Sequence, residues 1–195
     1  TFLNSPEGES GYKAVVERAI TQLAKHVRTL YGAGARRFVM IDLPDLGRTP
    51  IVLQNTTYIP ESPQANDVAR RIELARRLTQ LTVYHNQLLA ETIEQLRAEM
   101  PASQILLVDT FKYFQQLNGV DETAVLRPQD FGFDLAALEE TLEHQDARLS
   151  LQQACYSGSY LGTLDSSKIC PRPDKAIFWD TVHPTTLTHC WQAWQ

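Results

Sequence analysis

The chain has 195 residues, 43% of them hydrophobic, with 18 Lys+Arg against 23 Asp+Glu and a formal net charge of −5. That is room for one full domain and hardly two, and the composition is too apolar for disorder. An acidic balance without a basic run excludes a nucleic-acid partner, and no apolar stretch approaches the roughly 18 residues that would make a transmembrane segment. The first residues, Thr1 to Pro6, show neither a charged nor an apolar leader region, so any signal peptide is expected to have been removed.

After a turn-rich start (Pro6, Gly8, Gly11), apolar residues at Val16, Ile20, Leu23, Val27 and Leu30/Tyr31 recur at helical spacing. They predict an amphipathic helix stopped by Gly32 and Gly34. Arg37 to Asp42 is a short apolar run, read as a buried strand, and the prolines and glycine of Leu43 to Pro50 enforce a loop. Residues 51–66 read as irregular. A long helix is predicted from about Asp67 to Glu99, capped by Asn66 or Asp67 and ended by Pro101. A second buried strand, Gln104 to Asp109, precedes a short helix, Thr110 to Leu117, and another helix is predicted from Asp134 to about His144. Residues 145–175 read as loop. Ala176 to Trp179 is apolar, and a final helix opens near Thr185.

Helices alternating with apolar strands are the α/β pattern, in which parallel strands are covered on both faces. Two such strands are too few for a stable covered sheet. The last residues, Thr188 to Gln195, stop in mid-helix, so residues 1–195 are expected to be part of a larger domain.

The strongest local chemistry lies in Phe178-Trp179-Asp180-Thr181-Val182-His183-Pro184-Thr185. An Asp three residues before a His can hold the imidazole in one tautomer. Its carboxylate accepts the Nδ1 proton and leaves Nε2 to take a proton from a nucleophile. Pro184 suits the first turn of the helix that follows. The bare Asp-x-x-His pattern also occurs as an ordinary surface pair. His85, on the apolar face of the long helix, reads as a core histidine, and His26 and His144 as solvated helix positions. Asp42 and Asp109 fall at the carboxyl ends of the strands, where open sheets bind ligands, and read as loop-shaping residues. His189, six residues past His183, does not share its helix face, so with Cys190 it makes no metal site, and no cofactor is expected. Phe178 and Trp179 read as core anchors, and Trp191 and Trp194 as a face packed on the sheet.

Cys155 and Cys170 bracket a Ser-, Gly- and Tyr-rich segment, and Cys190 stands apart. A disulfide between Cys155 and Cys170 would constrain the unfolded chain by roughly 3 kcal/mol in the entropic model. Two reduced thiols are the alternative that spacing leaves open. The absence of a Cys-x-x-Cys pair argues against structural zinc.

Trp179-Asp180-Thr181-Val182-His183-Pro184-Thr185 resembles the last block of the GDSL (SGNH-type) lipases and acylhydrolases. Leu30 to Met40, Leu43-Pro44-Asp45-Leu46-Gly47-Arg48-Thr49-Pro50, His85-Asn86-Gln87-Leu88-Leu89 and Ile105 to Asp109 resemble further segments of that family, in its order. The cysteine-bracketed loop is similar to that of secreted bacterial phospholipases A, lysophospholipases and glycerophospholipid:cholesterol acyltransferases.

The resemblance implies a flavodoxin-like parallel sheet flanked by helices, of which residues 1–195 form the C-terminal portion. It also implies a serine acyl-ester hydrolase acting on lipids or phospholipids, with His183 as general base and Asp180 as its partner. The family's Gly-Asp-Ser nucleophile block and its oxyanion-hole blocks have no counterpart here. Gly8-Glu9-Ser10-Gly11 is only superficially similar, and Ser10 reads as a turn or helix cap. The nucleophile and oxyanion donors are therefore expected on an N-terminal fragment of the same precursor, kept associated after proteolytic processing. A carbohydrate or aryl esterase of the same family, or a non-catalytic lipid-binding or interaction module, are the rival expectations.

Overall fold

Apolar residues placed three and four apart draw the first helix of the computed structural model, which describes residues 6–53, 68–117, 154–158, 164–173 and 176–193. Helix α1 spans Pro6–Gly32 and buries Ile20, Ala24 and Val27 as one stripe. The expected turns at Pro6, Gly8 and Gly11 are instead the first turns of this helix. Proline is tolerated there because its missing N–H falls among donors that have no partner in the helix. At the other end, Ala35 N donates to Leu30 O at 3.0 Å and Gly34 N to Tyr31 O at 3.0 Å. These bonds close the helix around Gly34, whose φ of 106° suits a residue without a side chain.

Strands β1 (Arg37–Ile41) and β2 (Gln104–Val108) pair in parallel, with Phe38 opposite Ile105 and Met40 opposite Leu107. Between them in sequence come a single helical turn, α2 (Pro50–Leu53), and the long helix α3 (Val68–Glu99). Residues 54–67, including the expected caps Asn66 and Asp67, lie outside the described residues. Leu89, Ile93 and Leu96 of α3 meet the α1 stripe, Met40, Met100 and Ile105 in one core. Parallel pairing needs a crossover connection, and α3 lies on that connection.

On the opposite face Val39, Ile41 and Leu106 are 63%, 57% and 59% exposed, so among the described residues the strands are covered on one face, not on both as their apolar runs predict.

Helix α4 (Thr110–Leu117) starts beside Asp42, the residue that follows β1. The Asp42 carboxylate accepts from Thr110 N at 2.6 Å and Phe111 N at 3.0 Å, and Asp109 Oδ1 accepts from Lys112 N at 2.8 Å. Both aspartates thus shape a helix start. Asn86 of α3 grips Leu43, its Oδ1 accepting from Leu43 N at 3.0 Å and its Nδ2 donating to Leu43 O at 2.8 Å.

The described chain divides into two units at Leu46/Gly47, Ala75/Arg76 and Lys112/Tyr113. The core above belongs to the first. In the second, α5 (Thr186–Ala193) stands beside the 176–179 segment. Thr185 Oγ1 donates to Ala176 O at 2.6 Å and Thr188 Oγ1 to Ile177 O at 2.8 Å, both buried. Tyr113 donates its hydroxyl proton to Thr188 O at 3.2 Å, and Phe114 packs on Phe178 at 5.9 Å. The helix expected at Asp134 to His144 lies outside the described residues, as do the side chains of Trp191 and Trp194.

Candidate active site

Phe178 and Pro184 pair antiparallel, so the six-residue stretch from Trp179 to Pro184 turns back on itself. Trp179 N donates to His183 O at 2.8 Å and Thr185 N to Ile177 O at 2.8 Å, closing the turn. Thr185 then caps α5, accepting from Thr188 N at 3.3 Å. A second strut comes from α2, where Ile51 N donates to Thr181 O at 2.9 Å.

Asp180 lies inside this turn. Its Oδ1 accepts from Val182 N and His183 N, each at 2.6 Å, and its Oδ2 stands 2.6 Å from His183 Nδ1. The Asp180 side chain is 5% exposed and that of His183 is 75% exposed. An ionised carboxylate can only accept, so the proton of this bond belongs to Nδ1. In the neutral ring Nε2 is then the acceptor, on the open side of the imidazole. The burial of one partner and the exposure of the other follow from sequence: the short Asp side chain folds onto its own backbone, and the longer His projects from the turn.

Cys155 and Cys170 are joined as a disulfide and Cys190 is a free thiol. Cys155 N donates to Phe178 O at 3.0 Å and Tyr156 N to Trp179 O at 2.6 Å. The Tyr156 ring stacks on Trp179, centroids 5.7 Å apart and 9° from parallel. Phe178 is buried, and Trp179 is half-buried as one side of this stack.

The remaining candidates fall elsewhere. His85 is half-buried with Nδ1 2.9 Å from Asn86 Oδ1, and His26 is exposed. Ser10 sits within α1, and His144 lies outside the described residues. His189 is exposed on α5. Among the described residues no group of three or more His, Cys, Asp or Glu is placed to hold a metal, and no helix is long and apolar enough to cross a membrane. The sequence assigns no role to Tyr156, Ile51 or Asn86, whereas Thr185 is marked there as the opening of the final helix. That local signal, a threonine opening a helix, has no counterpart at the other three.

A buried carboxylate on Nδ1 of an exposed histidine, set in an α/β chain, is an arrangement that serine-type hydrolases use. The chain belongs to the GDSL-like lipase/acylhydrolase family, whose pattern matches residues 4–193. A GDSL esterase/lipase of Arabidopsis thaliana is 23% identical over 167 residues, covering 84% of this chain and 39% of that protein. A second from the same plant is 22% identical over 181 residues, covering 91% and 44%. An inactive GDSL esterase/lipase-like protein of Arabidopsis is 23% identical over 183 residues, covering 93% and 36%. The chain thus spans about two fifths of the length of these relatives. All three are plant proteins and lend no support to the bacterial origin that the likeness of the cysteine-bracketed loop to secreted bacterial enzymes suggests.

Proposed function

We propose that this chain supplies the acid–base half of a serine acyl-ester hydrolase acting on lipids, with His183 as general base and Asp180 as its orienting partner. The observation that carries the reading is the 2.6 Å contact between Asp180 Oδ2 and His183 Nδ1. It leaves Nε2 as an acceptor on a side chain that is 75% exposed. In this reading Nε2 takes the hydroxyl proton of a serine as its oxygen attacks the ester carbonyl. Asp180 stabilises the imidazolium, and Nε2–H then protonates the departing alcohol. Water repeats the sequence to release the fatty acid, or an acceptor alcohol takes the acyl group. Phospholipase A, lysophospholipase and acyltransferase chemistry all fit this scheme.

We assign the serine and the oxyanion donors to an N-terminal fragment of the same precursor, with residues 1–195 as the C-terminal portion of one hydrolase domain. Two observations support this. The chain spans about two fifths of its relatives, and the exposed face of the β1–β2 sheet offers Val39, Ile41 and Leu106 to a covering segment. The disulfide supports a secreted location, since such bonds persist in oxidising compartments.

A fluorophosphonate probe with intact-mass analysis tests the scheme. The expected result is a labelled serine on the accompanying polypeptide, with labelling abolished by His183→Ala. Turnover of His183→Ala within about tenfold of the wild type would reject His183 as the base. The similarity to an inactive relative favours one second reading, a non-catalytic binding module. Phospholipid binding without labelling of any polypeptide would select it.

A further inference from the structure

The Asp180–His183 turn makes its own internal bonds, but its orientation is set from outside, by the segment that carries the disulfide. Cys170 N donates to Cys155 O at 2.7 Å and Ser157 N to Lys168 O at 3.1 Å, and Tyr156 pairs antiparallel with Ile169. With the disulfide, these bonds make residues 154–157 and 168–170 a cross-linked pair of arms. The outer edge of the first arm is bonded to Phe178 and Trp179, through Cys155 N and Tyr156 N.

Trp179 is therefore held at both of its backbone groups. Its carbonyl accepts from Tyr156 N at 2.6 Å, and its N–H donates to His183 O at 2.8 Å. Its ring lies on the Tyr156 ring. Rotation of the Trp179–Asp180 peptide would swing the Asp180 carboxylate and the imidazole together, and Tyr156 opposes that rotation. Gly158 leaves room for this: a Cβ there would collide with the Tyr156 ring and hydroxyl. Tyr156 itself is 2% exposed, so it has no solvent side to retreat to.

We propose that Tyr156, braced by the Cys155–Cys170 disulfide, is a positioning residue for His183, fixing where Nε2 meets a nucleophile borne by another segment. The proposal rests on His183 acting as the general base. A nucleophile that docks from elsewhere must find the imidazole already in place, and a displacement of about 1 Å can cost on the order of a hundredfold in rate.

The test uses the catalytically competent full protein with a short-chain p-nitrophenyl ester, comparing Tyr156→Leu, Tyr156→Phe and Gly158→Ala. Tyr156→Leu and Gly158→Ala are expected to lower kcat by about 10- to 100-fold with KM within about twofold. Tyr156→Phe, which keeps the stack, should recover most of the rate. In nuclear magnetic resonance spectra the downfield His183 Nδ1 proton should broaden or vanish in the two damaging variants. In an Asp180→Asn background, Tyr156→Leu should have almost no further effect, because both act through the imidazole. Additive losses, or an unchanged Nδ1 signal and kcat in Tyr156→Leu, would overturn the proposal even if the melting temperature falls. Should one variant fail to fold, the other two and the double variant still decide. Failure of the underlying reading is recognised separately, by full turnover in His183→Ala.

Discussion

Asp180 shows how one short side chain can do two jobs. One carboxylate oxygen stitches its own turn through Val182 N and His183 N, and the other aims the imidazole. In Asp180→Asn the turn bonds can survive through the amide oxygen. The group facing Nδ1 would then be an NH2, which favours the wrong tautomer, and kcat should fall by roughly 10³–10⁴-fold with little change in KM. Steady-state kinetics on the competent enzyme checks this. Asp42 is a different case. Burial is the largest influence on it, pushing its pKa up to about 6 against the bonds from Phe111 and Thr110, with Asp109 adding to the rise. The folded state therefore holds a proton there that the unfolded chain has already lost between about pH 4 and 6. Stability should fall as pH rises through that window, by on the order of 2 kcal/mol, and stay level above it. Asp42→Asn keeps an acceptor for the helix start and should flatten the slope, as urea titrations at stepped pH would show.

At the scale of elements, the closure of α1 is the cleanest case. A Cβ at Gly34 meets nothing within 4 Å, so Gly34→Ala costs only what its φ of 106° imposes. That is about 1 kcal/mol of unfolding free energy, measurable by denaturant titration. Helices α1, α3, α4 and α5 and both strands were legible because period 3.6 and continuous apolar runs are local properties. Gly34 was legible as a stop, but Asp42 and Asp109, read as loop-shaping, instead accept the first N–H groups of α4. The first turns of α1 were misread because glycine and proline signal turns by propensity, while a helix start tolerates both at modest cost. The Asp180–His183 contact was expected from a three-residue spacing. Tyr156 and Ile51 were not foreseen, because they act through backbone bonds to residues distant in sequence, and a backbone N–H leaves no mark on residue identity. The grip of Asn86 on Leu43 was hidden because its side-chain amide reaches a residue far away in sequence.

At the scale of the whole molecule, the sheet is the feature that most needs a complement. Parallel strands are normally covered on both sides, and here Val39, Ile41 and Leu106 stand open. Under the proposed function they meet the fragment that bears the serine. Replacing Val39 and Leu106 by Thr should weaken retention of that fragment by at least tenfold in a pull-down, while raising the solubility of this chain by itself. The two changes leave the core of Ile93, Leu96 and Met40 untouched. Unchanged retention would place the contact elsewhere.

The bonds that aim His183 reach back no more than three residues along the chain. Such contacts have the lowest contact order a chain can offer, so their loop-closure cost is small and they can form early. The pairing of the imidazole with Asp180 is thereby made by a short stretch of sequence, and only the placement of that turn waits on Tyr156 and Ile51. A proton acceptor built in this way is portable: under the proposed function it is held on one fragment and put to work by a nucleophile carried on another.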